Sequence, residues 1–338
     1  MSAPPVLTLP GVSPRLAASL AEGMTRVDAL LRHTVEHDDP FIAGASGHLL
    51  AAGGKRFRPT LTLLAALVCG DLTDDVIAAA AGVELTHLAS LYHDDVMDEA
   101  TVRRGTPSVN AAYDNATAIL VGDLLFGKAS EIIAGLGAQA VLIQAQTFVR
   151  LCAGQIRDTR PCPPEQDPVD YYLGVLADKT GVLVATAARY GAMFAGGDPE
   201  TIELLRGYGE RLGMAFQLAD DLIDITSDGH ESGKTPGTDL REGVDTLAVL
   251  HAKASTDPAD TRLLELLASD LRHDDAAHAE ALTLLRAHPG VEAARVHTRE
   301  VGAQARALLA ALPVTSARGQ AAKAALDALV EQVVERVG

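Results

Sequence analysis

Aspartates at positions i, i+1 and i+4 occur twice in this chain, each time inside a long apolar run. The first set is Asp94, Asp95 and Asp98, preceded by Val83, Leu85, Leu88, Leu91 and Tyr92 at helical spacing. The second is Asp220, Asp221 and Asp224, in Phe216-Gln217-Leu218-Ala219-Asp220-Asp221-Leu222-Ile223-Asp224. Residues four apart share a helix face, so in each set the outer acids stack and the middle one stands beside them. His87 and Leu91 or Ser90 continue the first stripe, and Gly213 and Gln217 the second. Carboxylates crowded on one face repel each other unless a cation sits between them. Ligands that are all oxygen suit Mg2+, which bridges one or two carboxylates to phosphates while keeping several waters. Facing each other, the two clusters could hold several Mg2+ ions around one diphosphate.

The chain carries its own controls. His37-Asp38-Asp39 and His273-Asp274-Asp275 repeat the tripeptide His93-Asp94-Asp95 but lack the acid at the later position, where Ile42 and His278 stand. Both read as solvated surface. Arg103-Arg104-Gly105 follows the first cluster closely, and guanidinium forks match phosphate oxygens. Ala51-Ala52-Gly53-Gly54-Lys55-Arg56-Phe57-Arg58-Pro59 brings three more cations to the start of an apolar helix, where the helix dipole favours an anion. Acids and bases in this arrangement suggest a bound diphosphate.

The remainder bounds the class. Of 338 residues, 48% are hydrophobic, much of that alanine and leucine, with no tryptophan. That mix favours packed helices, and no strand pattern is visible, so an all-α single domain is expected. A net charge of −17 argues against nucleic acid as a partner. Cys69, Cys152 and Cys162 have no metal spacing and fit a reducing cytoplasm. Neither a secretory signal nor a membrane-spanning run is apparent. Residues 1–14 read as a flexible tail before a domain over 15–338. Helices are expected over 109–133, 141–157, 171–194 and 201–225, with loops over 159–168 and 227–240. The third of these helices contains Lys179-Thr180, and the second loop surrounds Lys234 with glycines.

In order and spacing, these stretches resemble the trans-isoprenyl diphosphate synthases, the polyprenyl synthetase family. The resemblance runs from about residue 47 onward. It rests on Gly53-Gly54-Lys55-Arg56-Phe57-Arg58-Pro59, both aspartate clusters, Arg103-Arg104-Gly105-Thr106-Pro107, Lys179-Thr180, Phe216-Gln217 and the run Gly233-Lys234-Thr235-Pro236-Gly237-Thr238-Asp239-Leu240-Arg241-Glu242-Gly243. It implies a bundle of long helices around a deep central cavity, usually in a homodimer, touching membranes only transiently to release product.

It also implies roles. Asp94, Asp95, Asp98, Asp220 and Asp224 would bind Mg2+ and an allylic diphosphate, with Asp221 a weaker or water-mediated partner. Arg103, Lys179 and Lys234 would hold that diphosphate. Lys55, Arg58, His87 and Arg104 would hold isopentenyl diphosphate, and Thr180 and Gln217 would turn oxygens toward an allylic cation. In the family, bulky residues at the positions of Ala89 and Ser90 stop chain growth, so small residues there imply a long product; a deeper floor such as Phe126 would make geranylgeranyl diphosphate instead. Two departures stand out: Val244 and Ala248 replace a common Lys and Pro. A class I terpene cyclase would lack the second anion site, and a non-catalytic subunit of a heteromeric synthase typically loses one aspartate cluster.

Overall fold

The computed structural model describes residues 11–227 and 236–336. Lys234 and residues 1–10 of the expected tail lie outside the described residues. In chain order the elements are α1 (Pro14–Thr34), α2 (Pro40–Ala51), α3 (Phe57–Cys69), α4 (Asp74–Met97), β1 (Val102–Arg103), β2 (Thr106–Pro107), α5 (Val109–Ala112), α6 (Asn115–Ala134), α7 (Ala138–Asp158) and α8 (Pro168–Leu176). A π-helical turn, Ala177–Gly181, leads to α9 (Val182–Phe194) and α10 (Pro199–Thr226). After these come α11 (Thr238–Glu242), α12 (Leu247–Lys253), a 3-10 turn (Pro258–Asp260), α13 (Thr261–Leu267), α14 (Asp275–Ala287), α15 (Pro289–Ala310) and α16 (Ala317–Glu335). The fold is all-α, as expected.

Helix starts follow local chemistry. The Ser13 and Thr73 side chains accept from backbone N–H groups three residues on, with Pro14 or Asp74-Asp75 filling the first turn. The two control tripeptides prove to be caps as well: Asp39 opens α2 and Asp274 opens α14, both exposed.

Three local features depart from the sequence expectations. Arg103 and Thr106 pair in a two-residue antiparallel ladder closed by Arg104 (φ 55°) and Gly105 (φ 75°), a hairpin turn in which both central residues are left-handed. Two residues per strand are too few to show alternation. The helix expected over 109–133 breaks at Tyr113, because Asp114 caps a new start by accepting from Thr117 N–H at 2.7 Å. The helix expected over 171–194 runs through, but its middle turn is π.

Contacts group the chain into two compact units. One takes in residues up to Val149 with Leu183–Gly209 and Leu308–Ala328. Its centre is α4, apolar on nearly every side and packed on α1, α3 and α6. Leu61, Leu63, Leu64, Leu85 and Leu88 are at most 1% exposed, each contributing about 1.5–3 kcal/mol by burial. Tyr92, Tyr190 and Tyr208 are equally enclosed, and their hydroxyls donate to the carbonyls of Ala45, Ala140 and Leu326 at 2.7, 2.7 and 2.8 Å. The other unit takes in Arg150–Val182, Glu210–Ala307 and residues from Leu329 onward. The first aspartate cluster lies in the former unit and the second in the latter.

Candidate active site

In the first unit, α4 carries the acids to its C-terminal end. Asp94 is half-buried, Asp95 is fully buried, and Asp98 is the exposed residue that ends the helix. The stacking expected of Asp94 and Asp98 thus falls where the helix opens to solvent. Asp95 Oδ1 accepts from Arg103 Nε at 2.6 Å, while Oδ2 is buried with no protein partner. Burial raises the Asp95 pKa, and the Arg103 guanidinium opposes that rise.

The neighbouring arginines point elsewhere. Arg104 Nη1 donates to the carbonyls of Leu49, at 3.1 Å, and Gly53. Its guanidinium lies against Gly54, where an added Cβ would sit 2.8 Å from Cζ and where φ is +141°. Gly54 is therefore required both for its backbone and for its missing side chain. Because successive hairpin residues face opposite ways, Arg103 turns to Asp95 and Arg104 to the Gly53-Gly54 turn.

Arg58 is the other member of this basic group. Burial lowers its pKa to about 10, with Glu84 opposing and Arg104 adding to the shift, and its Nε is buried without a hydrogen-bond partner. His87 is pushed well below the ordinary histidine value, first by burial and then by Arg58, Arg104 and Arg103. Lys55, three residues before Arg58 in the chain, is exposed.

Arg56, counted with these cations in the sequence, is instead buried, donating to Asp28 at 3.0 Å and Glu84 at 3.1 Å. Glu84 was not foreseen. It lies three residues before His87, on the same helix face. Burial raises its pKa while Arg56, Arg58 and Arg104 hold it down. Ala89 is fully enclosed, whereas Ser90 is partly exposed with its hydroxyl turned onto the His87 carbonyl at 2.9 Å.

In the second unit, the π turn carries Lys179 and Thr180. Such turns recur at functional sites because they re-aim side chains within a helix. Asp178 anchors this one, paired with Arg150 at 2.7 Å and with Arg157, while Arg150 also reaches Glu210 at 3.0 Å. Lys179 Nζ donates to Asp158 at 2.7 Å.

Thr180 Oγ1 donates to Gln217 Oε1 at 3.3 Å, Gln217 Nε2 donates to Asp221 Oδ1 at 2.9 Å, and Tyr172 donates its hydroxyl to Asp221 Oδ2. Both Asp221 oxygens are thus engaged. Burial pushes the Asp221 pKa up to about 6, with its acidic neighbours Asp220 and Asp224 adding to the rise. Tyr172 is pushed well above its ordinary value by burial and by Asp221. No spacing in the sequence pointed to Tyr172. Nor did any point to Arg336, which pairs with Asp220 at 2.8 Å and lies over the Phe216 ring at 5.4 Å. Asp224 accepts from the amides of Thr238 at 3.1 Å and Asp239 at 3.0 Å.

Among the described residues, no three acids, histidines or cysteines converge as a preformed metal cage. Mg2+ takes one or two carboxylates and completes its shell with water and phosphate oxygens. The donor set fits: all-oxygen acids at an exposed helix end, with one buried oxygen of Asp95 unpaired. No helix among the described residues is long and apolar enough to cross a membrane.

The chain is similar to known proteins over nearly its full length. A nonaprenyl diphosphate synthase of Mycobacterium tuberculosis is 47% identical over 324 residues, 95% of each chain. The solved geranylgeranyl pyrophosphate synthase of Corynebacterium glutamicum, complexed with calcium and isoprenyl diphosphate, superposes with a TM-score of 0.86 at 42% identity, covering 98% of this chain and 99% of that one. A decaprenyl diphosphate synthase of Rhodobacter capsulatus also gives 0.86, at 35% identity over 96% and 99%. The profile of the polyprenyl synthetases matches residues 39–285. With both aspartate clusters, the paired arginines and the Lys179-Thr180 turn in place, the chain belongs to the polyprenyl synthetase family and is a prenyltransferase.

Proposed function

We propose that the protein condenses isopentenyl diphosphate successively onto an allylic diphosphate in the presence of Mg2+, making a long all-trans polyprenyl diphosphate and releasing diphosphate. The observation that carries this reading is the buried guanidinium group of the first unit. Burial lowers the pKa of both Arg58 and Arg104, neighbouring guanidiniums lower each further, and Arg58 Nε lacks a partner, an arrangement that an anion would complete. That anion is isopentenyl diphosphate, held by Lys55, Arg58, His87 and Arg104.

Asp94, Asp95, Asp98, Asp220 and Asp224 would hold Mg2+, with Asp221 a weaker partner. Arg103, Lys179 and Lys234 would take phosphate oxygens of the allylic diphosphate. Bound Mg2+ would supply charge neutralisation, without which diphosphate is a poor leaving group. Ionisation leaves an allylic carbocation, toward which Thr180 and Gln217 present oxygens. The isopentenyl double bond, held close and aligned, attacks it. The departed diphosphate, held beside the new bond, would take the proton. An apolar cavity would keep water from the cation.

A homodimer belongs to the same reading. Ile119, Leu120, Leu142 and Val149 of α6 and α7 are 45–67% exposed, apolar area that a second copy would cover. Leu120→Glu with Val149→Glu should convert the dimer to monomers by light scattering; a wild-type protein that is already monomeric removes this part of the proposal. The three cysteines are free thiols, in keeping with a cytoplasmic site of action.

The test is to incubate the protein with Mg2+, isopentenyl diphosphate and each allylic primer, then size the products. Products well beyond geranylgeranyl are expected, because small residues occupy positions 89 and 90. Ser90→Phe should shorten them; Ala89→Phe is the poorer probe, since an enclosed alanine cannot grow without overpacking the core. The 42% identity to a geranylgeranyl pyrophosphate synthase supports a second reading with a shorter product. A wild-type product of that length, or no shortening by Ser90→Phe, decides for it.

A further inference from the structure

The residue at the failed fourth position of the second control tripeptide, His278, is not surface. It is 5% exposed on α14, with Nε2 2.8 Å from the Gly237 carbonyl and Nδ1 3.1 Å from Arg241 Nη2. A guanidinium has only donors, so Nδ1 accepts and Nε2 carries the proton given to Gly237. Arg241 is itself fixed by Asp275 at 2.8 Å. Gly237 (φ +73°) has no room for a side chain, because an added Cβ would lie 2.9 Å from His278 Nε2.

The three residues beginning at Gly237 all grip one aspartate. Gly237 N–H donates to the Asp224 carbonyl at 2.8 Å, and the amides of Thr238 and Asp239 take one carboxylate oxygen each. The same helix holds the chain on the other side of Asp224. Arg286 donates to the carbonyls of Ile225 and Ser227, both at 2.6 Å. One helix therefore braces both segments that frame this carboxylate, His278 from the Gly237 side and Arg286 from the α10 side.

We infer that His278 is a positioning residue for Asp224, orienting its carboxylate through the Gly237-Thr238-Asp239 backbone. The inference rests on the reading of Asp224 as a Mg2+ ligand. Groups that orient a metal ligand in this way typically contribute about 10–100-fold to metal affinity or activity.

The test is Mg2+ binding by calorimetry in the presence of inorganic diphosphate, with steady-state kinetics alongside. His278→Leu keeps bulk and loses the donor; it should weaken Mg2+ binding about tenfold and lower kcat, leaving KM for isopentenyl diphosphate unchanged. His278→Gln, which retains an N–H, should recover most of that loss. Gly237→Ala attacks the same contact from the opposite side and should match His278→Leu, so the idea stays testable if His278→Leu fails to fold. Wild-type Mg2+ affinity in the folded His278→Leu or Gly237→Ala protein, beside a weakened Asp224→Ala, overturns the positioning role. Wild-type affinity in Asp224→Ala overturns the metal assignment itself.

Discussion

The two aspartate clusters share a spacing, but their more enclosed members, Asp95 in the first and Asp221 and Asp224 in the second, are held by different means. Asp220 of the second also meets a guanidinium, Arg336, at 2.8 Å. Around the first, the partners are guanidiniums: Arg103 on Asp95, and Arg56, Arg58 and Arg104 about Glu84. Within the second, Asp221 leans on the neutral donors Tyr172 and Gln217, and Asp224 on backbone amides. A carboxylate matched to a permanent cation is oriented mainly by charge, whereas one matched to neutral donors is oriented by the placement of those donors. The first region should therefore respond to charge substitutions, and the second to changes that preserve charge but remove a single hydrogen bond.

The largest effects should be common to both. Asp94→Ala and Asp220→Ala should each lower turnover by about a thousandfold, since the lost acids act on the charged transition state. Near-normal turnover in both would remove the metal assignment and the comparison with it.

Next in size is a change confined to the first region. Arg58→Ala deletes a charged donor worth about 1.5–3 kcal/mol, so KM for isopentenyl diphosphate should rise roughly 10–100-fold with kcat little changed. A rise confined to the allylic substrate would mean the two diphosphate sites are exchanged.

In the second region, Tyr172→Phe removes one hydroxyl and no charge. With Asp221 less firmly held, the Gln217 amide loses its anchor, and kcat should fall about tenfold while both KM values and Mg2+ affinity hold. If Mg2+ affinity falls as steeply as kcat, Asp221 is a full metal ligand and not the weaker partner proposed above.

The smallest effect concerns stability against pH. His87 has a folded pKa well below its unfolded one, because burial and four arginines, Arg58, Arg104, Arg103 and Arg56, disfavour its charge. The folded protein thus resists a proton that the unfolded chain accepts. The stabilising contribution is present above the unfolded pKa and is lost as pH falls below it. His87→Gln lacks this term, so the melting temperature of the variant relative to wild type should shift in its favour between neutral pH and pH 5.5. An unchanged difference would show that His87 is more open to solvent than its surroundings indicate.

Much of this was legible in the residues. The helices bearing both clusters follow from apolar periodicity; the caps Ser13, Asp39 and Thr73 that start α1, α2 and α4 emerge only in the structure. The contrast with the two control tripeptides held in kind, since Asp39 and Asp274 cap helices and gather no further acids. The hairpin at Arg103-Arg104 was hidden by its length, and the π turn at Lys179 because one extra residue in a turn leaves no compositional trace. Arg56 reads as one of three equivalent cations until Asp28 and Glu84, each 28 residues away, are brought against it.

The sequence by itself determined which faces of which helices carry acid and base, because spacing along a helix is local geometry. It also determined the family, through motifs in a characteristic order. Only the tertiary structure decided which of those charges are spoken for. Asp95, Asp221 and Asp224 have the spacing of interchangeable ligands, yet each has a different partner, drawn from a hairpin, a distant helix and a returning backbone segment. Burial and long-range contact set those partners, and with them the ionisation of each group. Neither is encoded in the separation of residues along the chain.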